Sequence, residues 1–173
     1  MQDKMDKQSD IIMKQQLFLE NVDRKERETK LIVRGVPEET DTLDGATSDE
    51  EKLSKIWSRI GATVSRISSK RLGNTALPDR KRPILVIVRS KEERDSVLEK
   101  AKLLKNSEEA FKTIYIRKDV HPAVRKEWER LRHAENDERN RPENRGCVIR
   151  LDTKERKLYR NDEVIDSWNP HPF

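Results

Sequence analysis

The run Pro83-Ile-Leu-Val-Ile-Val88 is the longest continuous apolar stretch in a chain where 41% of the 173 residues are charged and only 32% are apolar. A β-branched run of this length, opened by proline, has to be a buried central strand. A second strand is predicted at Lys30 to Val36, where Leu31, Ile32 and Val33 precede a stop at Gly35 and Pro37. With so few apolar residues, one large core is excluded and small units joined by solvated segments are expected.

The segments around these two strands read in a definite order. Ser48 or Asp49 caps a helix to about Arg59, with Leu53, Ile56, Trp57 and Ile60 on one face and Gly61 as its stop. Val64, Ile67 and their neighbours, up to Leu72, form a short edge strand, and Gly73 to Pro83 is a loop. Ser90 opens a second helix, with Glu93 placed for a capping box, and it turns Val97, Leu98, Ala101 and Leu104 inward before Lys105-Asn-Ser. Thr113 to Arg117 is the last strand. Strand, helix, strand, strand, helix, strand is the ferredoxin-like arrangement shared by RNA-recognition motifs and by many unrelated proteins.

Ahead of this unit, Met1 to about Glu28 has a helical composition. Met5, Ile12 and Leu19 recur every seven residues, and Met1, Gln8, Gln15 and Val22 fill the alternate seam. The spacing predicts a coiled coil with glutamine in one seam, so Met5, Ile12, Leu19 and Val22 are the candidate oligomerisation residues. After the unit, Asp119 is the expected cap of a helix with Pro122 in its first turn, reaching about Asn136. Cys147, Ile149 and Leu151 alternate on a strand, and Lys157 to Arg160 and Glu163 to Ile165 make a hairpin at Asn161-Asp162. The fold class is therefore α+β, with an N-terminal helix at 1–28, a βαββαβ domain at 29–118, a small α/β domain at 119–168 and a tail at 169–173.

No sequence pattern for nucleophilic, zinc or nucleotide chemistry is present, so no enzyme and no cofactor are expected. His121, His133 and His171 are scattered, and His133 is expected to cap carbonyls at a helix end. Cys147 is the sole cysteine, which excludes an internal disulfide and fits a reducing compartment. No apolar run has membrane-spanning length and no secretory leader is evident, so a cytoplasmic or nuclear protein is expected.

Charge is the stronger signal. The net charge is +5, and it is unevenly spread. Glu38 to Glu51 holds seven acids and no base, Arg66 to Arg82 six bases and one acid, and Arg117 to Arg132 six bases and three acids. The central strands lack the aromatics on which RNA-recognition motifs stack bases; Tyr115 is the one aromatic on the sheet. Arg34, Lys70, Arg71, Arg80, Lys81, Arg82, Tyr115, Arg117, Arg125, Lys126, Arg130 and Arg132 are thus the candidate contacts to nucleic acid. Their chemistry is that of phosphate neutralisation, with a shared cleft as the expected setting. A different class of function, a protein-interaction module using the bare sheet face and the N-terminal helix, is the alternative.

Leu19-Glu-Asn21, Leu31-Ile-Val-Arg-Gly-Val-Pro-Glu38, the basic loop before Arg82-Pro-Ile-Leu-Val-Ile-Val-Arg89, Ile114-Tyr-Ile-Arg-Lys-Asp119 and Arg125-Lys-Glu-Trp128 follow one another in the order of a known family. From about Leu17 to Ile165 the chain resembles the first open-reading-frame protein of LINE-type retrotransposons, the transposase-22 family. The resemblance implies a coiled-coil trimer, an RNA-recognition-like domain and a C-terminal domain that coat single-stranded RNA and DNA as a chaperone, in a cytoplasmic ribonucleoprotein. It also implies that the basic pair before Glu-Trp, here Arg125 and Lys126, contributes to RNA binding. The coiled coil is shorter than in mammalian members, and a host-captured or truncated copy serving as a protein-interaction or oligomerisation module is the corresponding alternative.

Overall fold

The computed structural model describes residues 2–38, 41–74 and 81–168. The chain is α+β and divides into two compact units, Lys25–Asp119 and a second made of Met1–Arg24 with Val120–Phe173. The N-terminal helix is thus grouped with the C-terminal segment and does not stand as a body of its own.

In the first unit, β1 (Lys30–Arg34), β2 (Arg66–Arg71), β3 (Ile84–Val88) and β4 (Tyr115–Lys118) form an antiparallel sheet in the order β2-β3-β1-β4. The apolar run is β3, an interior strand, as the sequence requires. Leu31, Val33, Ile84, Val86 and Val88 share one face and build a core with Leu53, Ile56, Trp57 and Ile60 of α2 (Asp49–Ile60) and Val97 of α3 (Lys91–Lys100). Alternation sends Arg34, Lys70, Leu85, Ile87, Tyr115 and Arg117 to the other face.

The two ends of α2 follow their sequence signals closely. Ser48 accepts from the Glu51 N–H while the Glu51 carboxylate accepts from the Ser48 N–H, a complete capping box, and Gly61 closes α2 with φ of 63°. At α3 the Ser90 side chain accepts from the Glu93 N–H, but the Glu93 carboxylate accepts from the N–H groups of Arg89 and Ser65. The second helix is shorter than expected. It gives way at Ala101 to a 3₁₀ turn through Asn106, and a further short helix, α4 (Glu109–Lys112), buries Phe111. Gly35 has φ of 84°, and a Cβ there would collide with the Thr113 carbonyl, so only glycine fits where β1 leaves the sheet.

The second unit places α5 (Pro122–Asn140) on an antiparallel sheet of β5 (Ile149–Asp152), β6 (Lys157–Arg160) and β7 (Glu163–Ser167), ordered β5-β6-β7. Leu131, Ile149 and Leu158 are its buried apolar residues. Asn161 and Asp162 both have positive φ, at 48° and 69°, and make the two-residue turn that their sequence suggested. Cys147 lies before β5, where its N–H closes a turn onto the Asn144 carbonyl, so it is half-buried and not a strand residue.

The start of α5 corrects the expected cap. His121 is the N-cap, its Nδ1 accepting from the Ala123 N–H. Asp119 instead pairs with Arg27 at 2.7 Å, and its N–H bonds the Lys30 carbonyl beside β1. The helix also runs one turn beyond Asn136, which leaves His133 exposed in mid-helix and not capping an end.

Helix α1 (Gln2–Glu26) is joined to this unit by Glu20. Its carboxylate meets the buried Arg156 guanidinium at 2.7 Å, and Arg156 stacks on the Trp168 ring at 3.8 Å. Ser9, Gln16, Glu20 and Asp23, one helical stripe, are half-buried, whereas Met5, Ile12, Leu19 and Val22 are exposed together with Ile11 and Phe18. Phe18 and Leu19 are 67% and 64% exposed. The helix thus turns polar residues inward and apolar ones outward.

Candidate nucleic-acid interface

Eleven of the twelve candidate contacts lie among the described residues and fall into three groups. The first is internal. Arg71, with a side chain only 6% exposed, uses all five of its N–H donors within its own unit. Nε and Nη2 bind the two oxygens of Asp49 at 2.8 and 2.5 Å, Nη1 binds the carbonyls of Val36 and Arg82, and Nη2 also binds the carbonyl of Pro37. A guanidinium has no sixth donor. Arg71 is therefore a brace that ties the exit of β1 to β2 and the start of α2, and the phosphate role expected of it is withdrawn.

Arg82 joins the same brace. Its Nη2 lies 2.9 Å from Glu38, and its backbone N–H reaches the other Glu38 oxygen at 2.6 Å. The hydrogen bond from the Arg82 side chain, helped by its N–H and by the charges of Arg71 and Arg82, holds the Glu38 carboxyl below the ordinary value of 4.5 against the opposing effect of burial. Lys52, fully buried in α2, completes the cluster by donating to the Pro37 and Glu38 carbonyls at 3.3 and 2.6 Å.

In the second unit Arg130 is engaged in a comparable way. It donates to Glu127 one turn earlier and to both oxygens of Asp166 on β7, clamping α5 to the sheet. These carboxylates, Glu127 first, raise its pKa further. Arg125, half-buried, donates from Nη2 to the Val120 carbonyl at 3.1 Å. Arg117, also half-buried, has an interaction of its own.

The third group is open. Arg34, Lys70 and Lys81 in the first unit, and Lys126 and Arg132 in the second, are exposed and have no hydrogen-bond or ion-pair partner among the described residues. Tyr115 is 58% exposed and stands directly across from Arg34 on the sheet. Arg80 lies outside the described residues. Lys126 and Arg132 lie on the solvent side of α5, away from Leu131, with Glu129 and His133 between them. The further turn to Asn140 leaves His133 in mid-helix on that face, where it cannot take the capping role expected of it.

Chemically, the open cations suit phosphate oxygens: separate point charges and forks with water around them and no acid holding them. Among the described residues no cluster of histidine, cysteine and carboxylate side chains has the arrangement to hold a metal ion, and no helix is long and apolar enough to cross a membrane. No protein-family model matches the chain, and no curated protein matches it.

Proposed function

We propose that the chain is a non-enzymatic binder of single-stranded RNA and DNA that neutralises phosphates with little sequence preference, like the retrotransposon proteins it resembles. The observation that carries this reading is the open set on α5. Lys126 and Arg132 are exposed and unpaired on a helix whose other arginines are engaged internally. Arg34 and Lys70 give the first unit a similar offer on its helix-free sheet face. The sheet order β2-β3-β1-β4, with both long helices on one side, supports reading that unit as the ferredoxin-like, RNA-recognition-type arrangement.

The outward apolar residues of α1 support self-association. An exposed stripe containing Ile11, Ile12, Phe18, Leu19 and Val22 is covered when further copies of the helix pack on it. Three copies are the number the resemblance implies, and joining several weak sites raises the affinity for one long strand. A chaperone that coats RNA needs this combination of many weak contacts and no sequence reading.

The test is a salt titration of binding to labelled single-stranded RNA, with a duplex as competitor, on protein whose mass in solution is measured. The expected slope of log affinity against log salt is about −0.7 for each phosphate neutralised, so several contacts give a steep fall. The duplex is expected to compete poorly. Binding that ignores salt, or no retention of RNA at low salt by an oligomeric protein, would sink the proposal and favour a protein-interaction module.

A further inference from the structure

Arg150 and Tyr159 are direct cross-strand partners on β5 and β6, and Val164 stands opposite Tyr159 on β7. The three make one row across the sheet. Their strand neighbours Ile149 and Leu158 are buried on the α5 side, so alternation turns the row to the other face. There the Arg150 guanidinium lies 4.3 Å from the centroid of the Tyr159 ring, at stacking distance. Arg150 keeps 52% of its side chain exposed and Val164 is 51% exposed, while Tyr159 between them is half-buried, so the guanidinium is the open surface of the row.

The acids near this row are occupied elsewhere. One oxygen of Asp152 accepts from the N–H groups of Lys154 and Glu155 at 2.9 Å, and its other oxygen is 4.0 Å from Arg150, the outer limit of an ion pair. Glu155 binds the Lys157 amine at 3.0 Å and receives the Tyr159 hydroxyl at 3.4 Å. Unlike Arg71, which is held by five hydrogen bonds, Arg150 is held mainly by the ring beneath it. Its outer face is a flat cationic surface with no hydrogen-bonded acid among the described residues.

The geometry points to the Arg150–Tyr159 row as a stacking platform for an unpaired base of a single strand. This rests on the single-strand binding proposed above and extends it from phosphates to bases. Guanidinium planes and tyrosine rings both stack on bases, and every base has a π-face, so such a platform adds affinity without reading sequence. It also supplies what phosphate contacts lack. A duplex presents the same phosphates but hides its base faces, so stacking favours single strands. The platform lies in the second unit, on a sheet where no aromatic pattern had pointed to nucleic acid, and it offers the stacking that β1 and β3 lack.

The experiment compares the full chain and three variants against two probes of equal length, an oligothymidine strand and an abasic phosphodiester strand. Arg150→Lys keeps the charge and loses the plane, Tyr159→Leu loses the ring, and Tyr159→Phe keeps the ring. The wild type and Tyr159→Phe are expected to prefer the strand with bases. Arg150→Lys and Tyr159→Leu are each expected to bind that strand about tenfold more weakly and the abasic strand unchanged. If Tyr159→Leu fails to fold, Arg150→Lys decides the matter alone. Variants that bind both strands as the wild type does, or that lose both equally, overturn the platform. A wild type that binds neither strand overturns the single-strand reading itself.

Discussion

The basic blocks Arg66 to Arg82 and Arg117 to Arg132 look alike in sequence, with six bases each, and the fold divides each of them into engaged and open cations. In the first, Arg71 and Arg82 are drawn inward by Asp49 and Glu38, acids 22 and 44 residues away, while Lys70 and Lys81 stay open. In the second, Arg130 is claimed by Glu127 and Asp166 while Lys126 and Arg132 stay open. Net charge does not separate these cases; the supply of a nearby carboxylate does. The acidic stretch from Glu38 to Glu51 provides the acids that hold the brace.

The comparison can be broken most severely at Arg71. Replacement by methionine keeps much of the bulk but leaves Asp49 and the carbonyls of Val36, Pro37 and Arg82 without these donors. Removing one partner of a buried pair costs about 3 to 5 kcal/mol, because the stranded charge stays buried. Urea unfolding of Arg71→Met is expected to show a loss of that size, with RNA affinity intact under conditions where the variant is folded. A variant of normal stability that binds RNA poorly would mean Arg71 is a ligand after all.

How legible this was depended on the range of each interaction. The Ser48–Glu51 box, the β3 run and the Asn161-Asp162 turn are encoded within a few residues, and the fold shows all three. His121 displaced Asp119 as the cap of α5 because Asp119 found Arg27, 92 residues away. The burial of Lys52 is equally invisible in sequence: a lysine among acids reads as a surface residue until the carbonyls of Pro37 and Glu38 fold over it. The open and engaged cations could not be told apart for the same reason. Arg150 and Tyr159 were visible only as members of strands, since their meeting depends on the β5–β6 register.

Glu38 gives a gentler test of the same brace. Its carboxyl titrates below the ordinary 4.5 in the fold, so the ionised form stabilises the folded state. That contribution is full above the unfolded value and fades as pH falls through the lower, folded value. Glu38→Gln removes it at every pH. The variant is expected to be less stable than wild type by roughly 1.5 to 3 kcal/mol at pH 7, the scale of hydrogen bonds to a charged group. The gap should close as the pH is lowered below 4.5, since the remaining carboxylates titrate in both proteins. A gap that persists undiminished in acid would show that shape, and not charge, makes Glu38 part of the brace.

The smallest effect on stability and the clearest on binding belong to the open pair. Neither Lys126 nor Arg132 holds another described residue, so the double variant Lys126→Ala, Arg132→Ala should unfold within about 0.5 kcal/mol of wild type. Its affinity for single-stranded RNA should fall alike for every sequence tried. If each cation neutralises one phosphate, the salt slope should shrink by about 0.7 for each, or about 1.4 for the pair. An unchanged slope with unchanged stability would mean that these charges only solvate the helix. The same pair of measurements on Arg71→Met should give the mirror image, a large loss of stability at constant slope. Only a fold that sorts the cations within each charge block into bracing and open ones produces both results.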